Sequence, residues 1–347
     1  MGISAAGFLL SRLIPLAPAP APELKINWNP LTETWRNFQF MRGNRTVFLS
    51  VLGISWFWFY GSIFITQFPN LSKDILSGQE SVVTLLLIVF SIGIGVGSLL
   101  CERLSGRKVE IGLVPFGSIG LTLFGIDLYF ALAAHLQHEP MALAAFLQDA
   151  SHWRILGDLF LIGLFGGFYI VPLYALIQIR SEPSHRSRII AGNNILNALF
   201  MVAAAGIAIG LFTTGVSIPQ LLLVTALMNA VVALYIYRLV PEFLMRFVVW
   251  LLIHSVYRLK KEGVEHIPEE GAAVMVCNHV SFVDALSIAA ACPRPLRFVM
   301  DHRIFKLPII NFVFREGRAI PIASAKEDPA LLEKAYEEVA NALEAGD

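Results

Sequence analysis

The chain has 347 residues, 56% of them hydrophobic and 15% charged, with a mean hydropathy of +0.66. A soluble globular chain carries about 25% charged residues, so this composition marks a membrane protein. The 26 basic and 26 acidic residues balance, which argues against nucleic acid as a partner, and the three cysteines, Cys101, Cys277 and Cys292, are too scattered for a disulfide framework or a metal site.

Residues 1 to 16 hold an apolar patch too short to span a bilayer and without a basic lead. That pattern argues against a signal peptide and reads as the end of a longer helix. Ala17-Pro18-Ala19-Pro20-Ala21-Pro22 is a stiff polyproline-type spacer, and the polar stretch from Glu23 to Arg45 completes a linker over residues 1–45.

Six apolar stretches follow, at about 46–67, 82–101, 111–134, 154–178, 189–212 and 218–238. Each is long enough to cross the hydrocarbon core as a helix, which defines a transmembrane domain over residues 46–240. Basic residues concentrate in alternate loops, at Arg103, Arg107 and Lys108, at Arg180, Arg186 and Arg188, and at Arg238 and Arg246. The positive-inside rule places these loops, and everything after Val240, in the cytoplasm. Within the second stretch Ser91, Gly93, Gly95 and Gly97 form two small-residue faces suited to close helix contact. Asp127 and Asp158 are costly in hydrocarbon, and with Asn193, Asn194 and Asn197 they read either as a polar transport pathway or as interhelical hydrogen bonds.

The segment 241–347 changes character. Phe243 to Tyr257 is apolar and ends in Arg258, Lys260 and Lys261, the pattern of a helix lying in the membrane interface. Strands are expected at Val264–Pro268, Ala272–Asn278, Arg297–Met300 and Arg318–Ile322, with helices between them, so the segment reads as an α/β layer fold. A final helix starts at Asp328 as N-cap with Pro329 in the first turn, presents Leu332, Ala335, Tyr336, Val339 and Leu343 on one face, and ends before Gly346.

The chemistry concentrates where Ala272–Asn278 gives way to a helix over Ser281–Ala291. His279 falls on the connecting loop and Asp284 in the first turns of that helix. Such a carboxylate can fix the imidazole tautomer and stabilise the imidazolium, while the ring takes a proton from an alcohol. This is a base with an orienter and no nucleophile of its own, so the attacking group is a substrate hydroxyl. Cys277 reads as core at the end of a buried strand.

Asn278-His279-Val280-Ser281-Phe282-Val283-Asp284 after a hydrophobic strand resembles the first motif of the glycerolipid acyltransferases. Gly97 through Lys108 resembles the loop motif of the major facilitator superfamily, and six helices with both ends inside correspond to half of that fold. Together with Ser184-His185-Arg186-Ser187-Arg188, Ala191-Gly192-Asn193-Asn194, Ala319-Ile320-Pro321-Ile322 and Lys326-Glu327-Asp328, the chain resembles an interior slice of the bacterial fusions of a lysophospholipid transporter with an acyl-acyl carrier protein synthetase/2-acylglycerophosphoethanolamine acyltransferase. The resemblance implies a multi-domain protein, a six-helix membrane bundle followed by a partial α/β glycerolipid acyltransferase domain. It implies acyl transfer from an acyl thioester, acyl carrier protein or coenzyme A, to a lysophospholipid, with no bound cofactor or metal. His279 and Asp284 would be catalytic, and Asn278, Ser281, Arg315, Arg318 and Lys326 would hold substrate. Asp127, Asp158 and Asn194 would line a transport pathway. The expected location is the bacterial cell membrane, with membrane lipids and acyl carrier protein as partners. Two departures stand out: the strand ending at Ile322 is followed by Ala323-Ser324 in place of the phosphate-binding Arg of the second motif, and the Phe-Pro-Glu-Gly loop of the third motif would fall beyond Asp347. The second departure implies an incomplete enzyme, and a transporter without acyltransferase activity is the competing expectation.

Overall fold

The computed structural model describes residues 2–13, 27–104, 112–133, 140–239, 251, 255, 259–268, 271–281, 284–292, 296–306, 311, 314, 317–344 and 346. All six apolar stretches are helices long enough to cross a membrane. A short helix α1 (Gly2–Ser11) and a polar helix α2 (Pro30–Arg42) precede them. The spans are α3 (Arg45–Asn70, extended by a π-helical turn to Ile75), α4 (Glu80–Leu104), α5 (Leu113–Ala133), α7 (Ala150–Arg180), α8 (Arg186–Thr213) and α9 (Ile218–Leu239), with the six-residue α6 (Leu143–Gln148) before α7. The linker reading of residues 23–45 missed α2. Its signal was present in Asn29 followed by Pro30: the Asn29 side chain accepts the Leu31 and Thr32 backbone N–H groups, capping a helix whose first turn starts with proline.

The longest helix, α7, is the hub, packing on α3, α4 and α5. It meets α4 through glycines on both sides. A Cβ at Gly93 or Gly97 would collide with the Phe160 and Leu164 carbonyls, and one at Gly163 with the Phe90 carbonyl. Such close approach lets dispersion act between backbones where lipid removes the hydrophobic drive. Only one of the two expected small-residue faces is used: Ser91 is exposed and nothing lies within 4 Å of a Cβ built at Gly95.

Buried polar side chains tie the remaining helices. Trp56 Nε1 donates to Asn229 Oδ1 (2.9 Å), and Asn229 Nδ2 donates to Ser118 O (3.0 Å) and Thr122 Oγ1 (2.9 Å), joining α3, α9 and α5. Ser55 pairs with Asn197 at 2.9 Å between α3 and α8. In an apolar medium each such bond replaces an unsatisfied group, worth about 1 kcal/mol.

The C-terminal region holds a helix α10 (Asp284–Ala291), strands β1 (Val299–Asp301) and β2 (Ile320–Ile322), and a helix α11 (Pro329–Glu344). The strands pair in parallel, Val299 opposite Ile320 and Asp301 opposite Ile322, and α11 packs on β2. Asp328 caps α11 as expected, its Oδ1 accepting Leu331 N at 3.0 Å. Ala335 and Ala342 are buried, but Tyr336 is 65% exposed and does not share the buried face.

Two expected strands are absent. Val264–His266 is a 3₁₀ turn after Gly263, whose left-handed φ of 75° breaks an extended run. Residues 272–278 are exposed and, among the described residues, pair with no strand. Apolar residues encode a tendency to be covered and do not name the covering partner, which is why this run reads as a buried strand in sequence. Cys277 is accordingly exposed, against its reading as core. The expected interfacial segment, Phe243 to Tyr257, falls almost entirely outside the described residues, as does the Gly106-Arg107-Lys108 loop.

Candidate functional site

The His279–Asp284 pair is formed. His279 Nδ1 lies 3.1 Å from Asp284 Oδ2, and the same oxygen accepts the Val280 and Ser281 backbone N–H groups at 2.7 and 2.8 Å. Asp284 N in turn donates to Ser281 O at 3.0 Å, so the carboxylate closes the turn that leads into α10. The backbone N–H of Ser281, then that of Val280, and last the His279 imidazole hold the Asp284 carboxyl below the usual carboxylate range. An ionised Asp284 at neutral pH selects the tautomer with the proton on Nδ1. That leaves Nε2 with its lone pair directed outward from a side chain that is 73% exposed. The arrangement is a base, an orienter and open space where a hydroxyl could approach.

The expected substrate residues divide. Asn278 precedes the pair and Ser281 lies between its two members on the same loop, both exposed. Arg318 stands exposed at the start of the β2 segment with φ of 51°, a left-handed conformation that costs a non-glycine residue strain. Lys326 is exposed in the turn before α11. Among the described residues no hydrogen bond or ion pair joins Arg318 or Lys326 to the His279–Asp284 pair. Arg315 lies outside the described residues. The sequence reading passed over Arg303, whose Nε and Nη2 both reach Glu327 Oε1, at 3.1 and 2.6 Å. This contact ties the end of β1 to the turn before α11, and the polar run Asp301-His302-Arg303 at a strand end was its only signal.

In the membrane region Asp127 on α5 is held by Arg154 on α7 through two contacts, Nε to Oδ2 at 3.0 Å and Nη2 to Oδ1 at 2.5 Å. Asp158, one turn along from Arg154, is 4% exposed and its Oδ2 has no hydrogen-bond partner. The spacing of four between Arg154 and Asp158 puts both on one face of α7. Asn194 is exposed, whereas Asn193 and Asn197 are buried. Counting residues from the turn between α7 and α8, Asn194 and Asp158 differ by roughly 20 Å in depth, so they do not form one cluster.

These features define a membrane protein of six long apolar helices followed by a domain with a small parallel sheet. Residues 258–347 match the acyltransferase family. The chain is also 28% identical over 207 residues, 59% of its length and 47% of theirs, to the lysophospholipid transporter LplT of two strains of Klebsiella pneumoniae. It thus spans about half the length of these curated relatives. No solved structure matches it. The chain joins a region distantly similar to that transporter to a C-terminal acyltransferase domain.

Proposed function

We propose that the protein acylates the free hydroxyl of a lysophospholipid, using an acyl thioester of acyl carrier protein or coenzyme A as co-substrate and no bound cofactor. The observation that carries this reading is the His279–Asp284 contact inside the segment that matches the acyltransferase family. The lysophospholipid hydroxyl attacks the thioester carbonyl while His279 Nε2 takes its proton. The carbon–sulfur bond then breaks, and the departing thiolate receives that proton from the imidazolium, which Asp284 stabilises throughout. Asn278 and Ser281 orient the acceptor, and Arg318, Arg315 or Lys326 contact its phosphate. The membrane region supplies the lipid. Loop charge supports a cytoplasmic acyltransferase domain at the bacterial cell membrane, where acyl thioesters are made.

A second reading, a lysophospholipid transporter with Asp127, Asp158 and Asn194 on its pathway, is favoured by the similarity to LplT and by the buried Asp158. One experiment separates the two. The protein in vesicles is given radiolabelled lysophosphatidylethanolamine and acyl carrier thioester, and acylation and lipid translocation are followed together. His279→Ala should abolish acylation and spare translocation. Acylation that survives His279→Ala overturns the enzymatic assignment.

A further inference from the structure

We infer that α2 is an interfacial helix whose outer stripe, Leu31, Trp35 and Arg42, together with Trp28 just before its N-cap, rests in the headgroup layer of the bilayer, with anionic lipid as its preferred partner. The inference rests on the six helices being membrane spans.

The stripe is large and apolar. Leu31, Trp35 and Arg42 follow helical spacing along α2 and Trp28 stands just before its N-cap Asn29; Trp28, Leu31 and Trp35 are 86%, 79% and 61% exposed. Tryptophan combines a wide apolar ring with one N–H donor and favours the membrane–water boundary over either phase.

The stripe cannot roll inward, because the opposite face of α2 is engaged. Asn37 and Met41 are buried, and both pack against Gly192. Glu33 Oε2 accepts from Arg188 Nη1 at 3.1 Å, and the Arg188 guanidinium lies over the Phe40 ring, which also packs at a tilt against the His185 ring. The partners 185, 188 and 192 run along the side of α8 for about 10 Å. The helix α2 therefore lies beside the first turns of a span and does not cap its tip, which turns the free stripe laterally.

Its depth follows from its neighbours. Only Gly43 and Asn44 separate α2 from α3, and Asn44 Nδ2 donates to the carbonyl of Arg180, the last residue of α7. The start of α3, the end of α7 and the start of α8 thus meet at one level, the level at which a bilayer spanned by these helices has its headgroups.

Charge selects the lipid. Residues 27–45 carry Arg36, Arg42 and Arg45 and one acid, Glu33, which pairs with Arg36 and Arg188. Arg42 lies on the stripe itself. Each basic residue near an anionic surface is worth about 1 kcal/mol, roughly fivefold in lipid occupancy.

The test uses the full chain in vesicles and the tryptophan emission lost on replacing Trp28 and Trp35 together by Phe. That emission should be blue-shifted and quenched by phospholipid brominated on the upper acyl chain. Quenching by brominated phosphatidylglycerol should exceed that by brominated phosphatidylcholine about twofold or more, and Arg42→Gln should remove the excess. Should the double variant not fold, Trp28→Phe and Trp35→Phe singly divide the same signal. Quenching by aqueous iodide without quenching by bromine would show a stripe facing water. Protection from both would show a protein surface covering it, and either result overturns the inference. Equal quenching by the two lipids overturns the preference for anionic headgroups.

Discussion

Asp284 Oδ2 stands 3.1 Å from His279 Nδ1 and also accepts two backbone N–H groups from the residues between them, so one oxygen orders both the loop and the ring. Asp284→Asn should therefore impair more than charge stabilisation. A carboxamide can still accept through its oxygen, but it lacks the charge and offers an N–H that competes with the ring. Acyl transfer should fall by about 10²- to 10⁴-fold, the range typical for loss of acid–base help, while lysophospholipid binding stays near the wild-type value. A steady-state kcat and KM measurement checks this, and an unchanged kcat would remove Asp284 from the reaction.

The sign of the Asp284 shift sets a pH expectation. Its carboxyl is held low in the folded state, so the contribution to the turn is fully present above the ordinary carboxylate value near 4 and is lost as pH falls through the depressed value. A ¹³C carboxyl titration, with Asp284→Asn to assign the signal, should show a midpoint below about 4. A midpoint above that value would mean the backbone contacts do not form in solution.

The glycines of α4 offer an internal comparison. Gly97→Ala should lower the unfolding temperature in detergent sharply, because its methyl meets the Leu164 carbonyl and backbone must move. Gly95→Ala, where nothing lies within 4 Å, should leave it unchanged or slightly raised. Equal behaviour of the two variants would contradict the α4–α7 contact.

The Asp127–Arg154 contact predicts coupling between two spans. Arg154→Gln alone strands a carboxylate at the α5–α7 contact, whereas adding Asp127→Asn removes the charge that lost its partner. The double variant should melt higher than the Arg154→Gln single. If it melts lower, the pair does not interact.

Loop charge predicts an orientation that can be measured. Reporter fusions after Lys108, Arg188 and Arg258 should report cytoplasm, and one at His138 the opposite side. A non-cytoplasmic signal after Arg258 would separate the acyltransferase domain from cytosolic thioesters and sink the proposed reaction.

Much of the architecture was legible because hydrocarbon imposes a demand that sequence displays directly. Six apolar runs of sufficient length become six helices, since no other single segment satisfies its own backbone in lipid. Local signals were equally direct: Asp328 and Pro329 start α11, and the step from His279 to Asp284 bends back on itself because the Asp284 carboxylate accepts the Val280 and Ser281 backbone N–H groups. Contacts between distant residues were not legible. That Arg154 pairs with Asp127, that Trp56 finds Asn229, that Gly93 and Gly97 are used while Gly95 is not, and that Val274 and Val276 stay exposed all depend on which helix or strand lies opposite. Sequence by itself determined which segments leave water and where helices begin, because those are properties of a residue and its near neighbours. Only the tertiary structure decided which polar groups and glycines meet, because a hydrogen bond or a backbone approach is a property of two surfaces and periodicity describes only one.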